Sequence, residues 1–132
     1  MNSNHDNDEG DIMSDCYQYT TKEIETAVDN YISQFKEGYF SPLGLTARLT
    51  EEVGELAREI NHTYGEKPKK TTETPNTVED EIGDILFVLA CITNSLDLDL
   101  SNSFHKSITK ISTRDKDRWT KKDTEKQEAY DE

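Results

Sequence analysis

Acidic side chains recur at helical spacing in two places of this 132-residue sequence. In the first group, Glu52 and Glu55 are three residues apart, and Glu51 is four residues from Glu55. In the second group, Glu81 and Asp84 are three residues apart. Residues three or four apart lie on one side of a helix. Two helices packed side by side could therefore bring both groups to one place.

Such a set of carboxylates predicts a bound cation, because like charges at helical spacing repel one another by a few tenths of a kcal/mol per pair. Oxygen ligands without His or Cys favour Mg²⁺ or Mn²⁺ over zinc. Spacing alone leaves a solvated acidic face equally open. The second acidic group, on what we expect to be the neighbouring helix, favours the metal site.

A di-iron centre is a rival interpretation, because Glu59 and His62 have the Glu-x-x-His spacing that di-iron bundles use. Those bundles use the spacing twice. His105 instead has Asn102 three residues before it, so the second half of the pattern is missing. We therefore expect His62 to interact favourably with the C-terminal end of its helix.

The elements that must position the acids are helices. Apolar spacing predicts four helices, and no alternating run predicts a strand, so the fold class is all-α. The predicted helices span about 21–35, 42–64, 77–96 and 101–112. Their predicted N-terminal caps include Thr20 or Thr21 for the first, Asn76 or Thr77 for the third, and Ser101 for the fourth. Gly65 is expected to end the second helix.

The apolar faces of these helices predict how they pack. The second helix has a predicted core stripe of Leu49, Val53, Leu56 and Ile60. Residues 85–92 of the third helix are apolar on every side, and such a helix must be surrounded by protein. One chain of this size cannot easily surround it. We therefore predict a four- to five-helix bundle completed by oligomerisation, as a homodimer or homotetramer.

The charge distribution divides the chain into three parts. Residues 1–19 hold five acids and no Lys or Arg and are predicted to be a disordered acidic tail. Residues 20–119 form the predicted helical domain, and residues 120–132 form a polar C-terminal tail. The two cysteines, Cys16 and Cys91, have no metal-ligand spacing and are expected to carry no chemistry.

The net charge of -13 limits the partners. Sequence-independent nucleic-acid binding depends on Lys and Arg, so we expect no nucleic-acid polymer as a partner. The longest apolar run has eight residues, whereas a membrane span needs roughly 20. We expect no membrane association and, without a basic and apolar leader, a cytoplasmic location.

Four stretches resemble the MazG-like nucleotide pyrophosphohydrolases, specifically their short YpjD-type branch. They are QFKEGYFSPLG, RLTEEVGELAREINHTYGEKPKK, VEDEIGDILFVL and TRDKDRW. The resemblance implies an all-α NTP pyrophosphatase fold. It also implies Mg²⁺, for which Mn²⁺ can substitute, and water attack on the α-phosphorus of a nucleoside triphosphate, (d)NTP, which gives the monophosphate, (d)NMP, and pyrophosphate.

The same resemblance implies roles for single residues. Glu52, Glu55, Glu81 and Asp84 correspond to the catalytic metal set. Glu51 is either a further ligand or the group that orients the water.

Basic and aromatic residues near the end of the domain are implied substrate ligands. Lys110 and Arg114 correspond to the Lys-x-x-x-Arg pair that binds phosphate in the family. Arg118 is a weaker phosphate candidate, and Trp119 could stack on the base. Phe35, Tyr39 and Phe40 are further stacking candidates, although each could equally be ordinary packing.

The competing hypothesis is a catalytically inactive acidic helical module that binds a protein partner. A broken acidic set would favour that hypothesis, but all five acids are present. Base and sugar preference cannot be predicted from these residues.

Overall fold

The structure, a computed structural model, describes residues 17–72 and 76–123. The four helices in these residues are α1 (Thr21–Ile32), α2 (Pro42–Tyr64), α3 (Val78–Ser95) and α4 (Leu100–Arg114). No strand occurs in the described ranges, so the predicted all-α class is confirmed. Most of the two predicted tails lies outside these ranges. Of the tails, only 17–19 and 120–123 are described, and they are not helical.

Side-chain caps fix the starts of α1 and α3. The Thr20 hydroxyl accepts a hydrogen bond from the Glu23 backbone N–H at 3.1 Å, and Glu23 accepts one from the Thr20 N–H at 3.2 Å. Thr77 and Asp80 form the same reciprocal pair, at 3.2 and 2.8 Å. Each pair satisfies two helix N–H groups that have no partner within the helix. Both predicted helix starts are confirmed.

Two predicted boundaries were wrong. The first helix ends at Ile32 instead of residue 35, because the chain turns through Gly38, whose φ of 63° is unfavourable for other residues. Asp99, not Ser101, caps α4 by accepting a hydrogen bond from the Asn102 N–H at 2.7 Å. This earlier start puts Leu100 in the first turn of α4, where it packs against the core.

A small apolar core lies between α1, α2 and α3. Its buried members are Val28 from α1, Leu45 from α2, and Ala90 and Cys91 from α3. Leu45, near the start of α2, lies in the same buried cluster as Cys91, near the end of α3. Glu52, further along α2, instead meets the start of α3. Helices α2 and α3 therefore run antiparallel, as the acidic groups require.

The core stripe predicted for α2 was wrong at Val53 and Ile60, which are exposed. The buried residues of α2 are Leu45, Glu52 and Glu59, which are seven residues apart. Seven residues make nearly two helical turns, so these side chains share one face. Helix α2 therefore turns carboxylates toward α3 and leaves part of its apolar stripe outside.

The described part of the chain leaves large apolar side chains exposed on two further helices. On α3, Ile82, Leu86 and Phe87 are exposed, so a single chain does not surround this helix. On α4, Phe104 is 67% exposed, and no residue of the helix is buried. None of the described helices is both long enough and apolar enough to cross a membrane.

Candidate active site

Three carboxylates from two helices meet at the start of α3. Glu52 comes from α2, and Glu81 and Asp84 come from the first two turns of α3. One oxygen from each lies within 4.8 Å of the other two. Glu52 and Glu81 are buried, and Asp84 is exposed. We call these three residues the carboxylate cluster.

Glu81 is the most deeply buried large side chain described, at 2% exposure. Burial raises the pKa of its carboxyl group, and the nearby charges of Asp84, Glu52 and Glu55 raise that pKa further. A hydrogen bond from the Asn76 side-chain amide to Glu81 Oε1, at 3.1 Å, acts in the opposite direction. A cation at the cluster would offset both the burial and the repulsion.

Glu52 has a basic neighbour that sequence analysis missed. Arg48 Nε lies 3.1 Å from Glu52 Oε1, one helical turn earlier on α2. The signal available in the sequence was the opposite charge four residues away, which is a favourable helical pair. Arg48 therefore brings a guanidinium to the edge of the cluster.

The remaining two predicted acids lie outside the carboxylate cluster. Glu51 and Glu55 are both exposed on α2. Glu55 is close enough to raise the pKa of Glu81. Their roles as ligands or as the group that orients water stay predictions.

The carboxylate cluster suits a hard divalent cation. Its donors are all carboxylate oxygens, which Mg²⁺ and Mn²⁺ prefer. One oxygen from each residue lies within 4.8 Å of the other two, so one ion could be held by all three. The donor set therefore fits the metal that the sequence predicted.

A cavity of about 360 Å³ adjoins the carboxylate cluster. Glu52, Asp84 and Arg48 line its polar side. The rest of the lining is largely apolar or aromatic and includes Ile32, Tyr39, Phe40, Leu45, Phe87, Val88 and Cys91. Tyr39 and Phe40 were candidates from the sequence, whereas Phe87 was missed because it lies in an evenly apolar run. Such a lining can hold a flat base beside charged groups.

A polar network fixes the aromatic wall of this cavity. The Tyr39 hydroxyl donates to Asp29 Oδ1 at 2.6 Å and accepts from the Asn94 side-chain amide at 3.1 Å. Burial, followed by the bond to Asp29, raises the pKa of Tyr39 to about 12. Tyr39 is therefore a neutral phenol whose ring is held in place from α1 and α3.

The predicted substrate ligands at the end of the domain do not line the cavity. Lys110 and Arg114 lie on α4, which in the described ranges contacts α1 and α3 but not α2. Asp115 binds both Arg114, at 3.2 Å, and Arg118, at 3.6 Å. Trp119 is exposed, with the Arg118 guanidinium 5.1 Å from its ring centroid.

Other residues singled out in the sequence have separate partners. Glu59 pairs with Lys69 at 3.1 Å, and His62 Nδ1 lies 2.9 Å from the Lys67 carbonyl oxygen. Neither belongs to the carboxylate cluster. Phe35 packs edge-to-face against Tyr31, with ring centroids 5.2 Å apart.

Several known proteins are similar to this chain. Residues 40–119 match the MazG nucleotide pyrophosphohydrolase domain. Protein YpjD of Bacillus subtilis (strain 168) is 62% identical over 104 residues, which cover 79% of this chain and 94% of YpjD.

Two crystal structures are also similar. That of YpjD from Bacillus subtilis is 60% identical with a TM-score of 0.64, covering 71% of this chain and 96% of YpjD. That of a Bacillus-conserved MazG protein, a nucleotide pyrophosphohydrolase, is 52% identical with a TM-score of 0.63, covering 76% and 97%. The cluster, the all-α fold and the matched domain together establish that this chain belongs to the MazG nucleotide pyrophosphohydrolase family.

Proposed function

We propose that this hydrolase is metal-dependent and converts a nucleoside triphosphate, (d)NTP, to (d)NMP and pyrophosphate by water attack at the α-phosphorus. The observation that carries the proposal is the carboxylate cluster beside the aromatic cavity. The cluster suits a cation that accompanies a polyphosphate, and the cavity suits a base. A nucleotide has both parts.

Glu52, Glu81 and Asp84 hold Mg²⁺ in this proposal, and Mn²⁺ can replace it. Glu55 is a further ligand from α2, and Glu51 is either a ligand or the group that orients the attacking water. The metal, when bound, neutralises phosphate oxygens and lowers the pKa of a water. Burial of Glu81 and Glu52 keeps two of the ligands away from bulk water.

The cavity walls bind the nucleoside. Tyr39, Phe40 and Phe87 offer aromatic surface to a base and exclude water from the reacting phosphate. Arg48 lies on the same wall as Glu52 and Asp84, where its charge can offset that of the phosphates.

A second copy of the chain covers the exposed apolar faces of α3 and α4 in this proposal, giving a homodimer or homotetramer. The exposed Ile82, Leu86 and Phe104 support it, because exposed apolar faces mark contact sites. Lys110, Arg114, Arg118 and Trp119 remain proposed substrate ligands. Assembly or substrate binding must bring them to the cavity. A cytoplasmic location also stays a prediction.

A panel of ribo- and deoxyribonucleoside triphosphates, each with Mg²⁺, Mn²⁺ or EDTA, tests the activity. We expect monophosphate and pyrophosphate with either metal and no turnover with EDTA. Monophosphate with two orthophosphates as primary products would contradict attack at the α-phosphorus. No turnover anywhere in the panel would favour the inactive binding module.

A further inference from the structure

We propose that Asn76 and Lys69 are positioning residues that hold Glu81 ready for the cation. The inference rests on the proposed metal-dependent function of the carboxylate cluster. The sequence offered Asn76 as a cap of the third helix, but it predicted no contact with Glu81 for either residue. Both lie in the loop between α2 and α3, at the end of the bundle where the cluster lies.

Lys69 connects the loop to α2. Its ammonium donates to Glu59 Oε2 at 3.1 Å and to the Asn76 carbonyl oxygen at 3.0 Å. Glu59 is only 5% exposed, so its carboxylate depends on this partner. One ammonium therefore ties the inner face of α2 to the residue immediately before the α3 cap.

Asn76 continues the connection to the carboxylate cluster. Its side-chain amide donates to Glu81 Oε1 at 3.1 Å. The carboxylates of Asp84, Glu52 and Glu55 repel the charge of Glu81, so this amide is a favourable contact. The bond restrains rotation of the Glu81 carboxylate and stabilises its ionised form. We call the chain of contacts from Glu59 through Lys69 and Asn76 to Glu81 the loop bridge.

The loop bridge has a physical reason to matter for metal binding. Glu52 and Glu81 lie on different helices, so their separation depends on how α2 and α3 are held together. Glu59 lies two turns after Glu52 on the same face of α2. The bridge therefore joins the two ligand-bearing helices next to the cluster. Residues that hydrogen-bond to a metal ligand without touching the metal commonly contribute about 10- to 100-fold to metal affinity.

Calorimetric titration of the nucleotide-free protein with Mn²⁺ tests the amide contact directly. Asn76→Ala removes the donor but keeps the backbone carbonyl that Lys69 binds. We expect Mn²⁺ affinity to fall by about 10- to 100-fold. Thr72→Ala, at an exposed position of the same loop, should bind Mn²⁺ as the wild type does. Circular dichroism verifies that all variants are folded.

Lys69 needs a different set of variants, because Lys69→Met leaves the buried Glu59 without its cation. The double variant Glu59→Gln with Lys69→Met removes both charges and should fold. It should still bind Mn²⁺ about 10-fold more weakly. Lys69→Arg keeps the positive charge and should retain most of the Mn²⁺ affinity. Lys22→Met, at an exposed position of α1, should have no effect on that affinity.

Kinetics separate positioning from a general loss of structure. In Asn76→Ala, the metal concentration for half-maximal turnover should rise in line with the calorimetry. The nucleotide KM at saturating metal should stay near the wild-type value. Equal Mn²⁺ affinity in wild type and Asn76→Ala would overturn this inference alone. A wild type that binds no Mn²⁺ would overturn the proposed metal-dependent function as well.

Discussion

At the scale of single residues, two buried glutamates at one end of the bundle have contrasting surroundings. Glu59 on α2 receives an ammonium from Lys69. Glu81 on α3 receives a neutral amide as its hydrogen-bond partner among the described residues and lies near three other carboxylates. Burying a charge without an opposite charge is costly. Glu81 is therefore the residue whose environment most clearly calls for a cation from solution.

Asp84→Asn should abolish most turnover without weakening the metal-free fold. The change removes the negative charge of one proposed metal ligand. Loss of a residue that only supports a ligand typically costs about 10- to 100-fold, so activity should fall by at least that much. It also removes a charge that repels Glu81, so the unfolding temperature in EDTA should stay level or rise. Steady-state kinetics and thermal unfolding measure both effects.

Asp97→Asn is the matched control for this change. Asp97 is exposed and has a φ of 54°, which asparagine also tolerates. It should leave both turnover and unfolding temperature unchanged. A large loss of metal-free stability in Asp84→Asn, but not in Asp97→Asn, would mean that Asp84 has a structural role.

The raised pKa of Glu81 also predicts how metal-free stability depends on pH. A carboxyl group whose pKa is raised by folding contributes stability below its ordinary pKa, and that contribution is lost as pH rises through the raised value. Glu81→Gln should remove this loss and be more stable than wild type at neutral pH. Thermal unfolding in EDTA from about pH 4 to 8 checks the direction. If Glu66→Gln, at an exposed loop position, changed the profile equally, the effect could not be assigned to Glu81.

At the scale of elements, polar contacts decide how the helices are oriented. Helix α2 turns Glu52 and Glu59 inward, so its apolar stripe is only partly buried. Helices α1 and α3 are joined by a hydrogen bond from the Thr93 hydroxyl to Glu25 Oε2 at 2.9 Å and by the contacts of Asn94. Tyr39, between α1 and α2, joins the same network.

Tyr39→Phe should destabilise the protein by about 1–2 kcal/mol, because it removes hydrogen bonds to Asp29 and Asn94. Folding raises the pKa of Tyr39 to about 12. The contribution of Tyr39 to stability is therefore fully present below the ordinary tyrosine pKa and is lost as pH rises through the raised pKa. Urea unfolding measures the cost. Tyr64→Phe, at an exposed position, should cost nothing measurable, and an equal cost in both would argue against the network.

Capping of α4 offers a test between the sequence prediction and the structure. Asp99→Ala should cost about 1 kcal/mol, because it removes the acceptor for the Asn102 N–H. Ser101→Ala should be nearly neutral, since Ser101 lies inside the helix. Equilibrium unfolding of both variants decides the matter. A larger cost at Ser101 would restore the original cap assignment.

At the scale of the whole molecule, one chain has a small core and much exposed apolar surface. Within the described ranges, four buried residues form that core. The exposed apolar residues of α4 are Phe104, Ile108 and Ile111, and they share one side of the helix. Apolar surface of this extent is unfavourable in water. It supports the proposed association of identical chains.

Ile108→Glu should shift the protein toward monomer, because a charge in an apolar interface loses its hydration without a partner. Thr109→Glu, which adds the same charge about 100° away around α4, should leave the assembly unchanged. Sedimentation velocity at micromolar concentration distinguishes the two. A wild type that is monomeric under these conditions would contradict the proposed assembly.

The sequence by itself determined the elements and the kind of chemistry. Helical periodicity, the Thr20 and Thr77 caps and Gly65 are local properties, so four helices and most of their ends could be predicted from short stretches. The spacing of Glu52 and Glu55, and that of Glu81 and Asp84, likewise predicted a hard-cation site before any contact was known. The helix predictions succeeded because each depends on residues close together in the chain.

Only the tertiary structure decided which face of each helix turns inward. Apolar content pointed to Val53 and Ile60 as core, yet α2 buries Glu52 and Glu59 because Arg48 and Lys69 provide their partners. The bridge from Lys69 through Asn76 to Glu81 starts from two residues of the loop between α2 and α3, where no helical period applies. Such contacts depend on the packing of α2 against α3, which local sequence patterns do not specify.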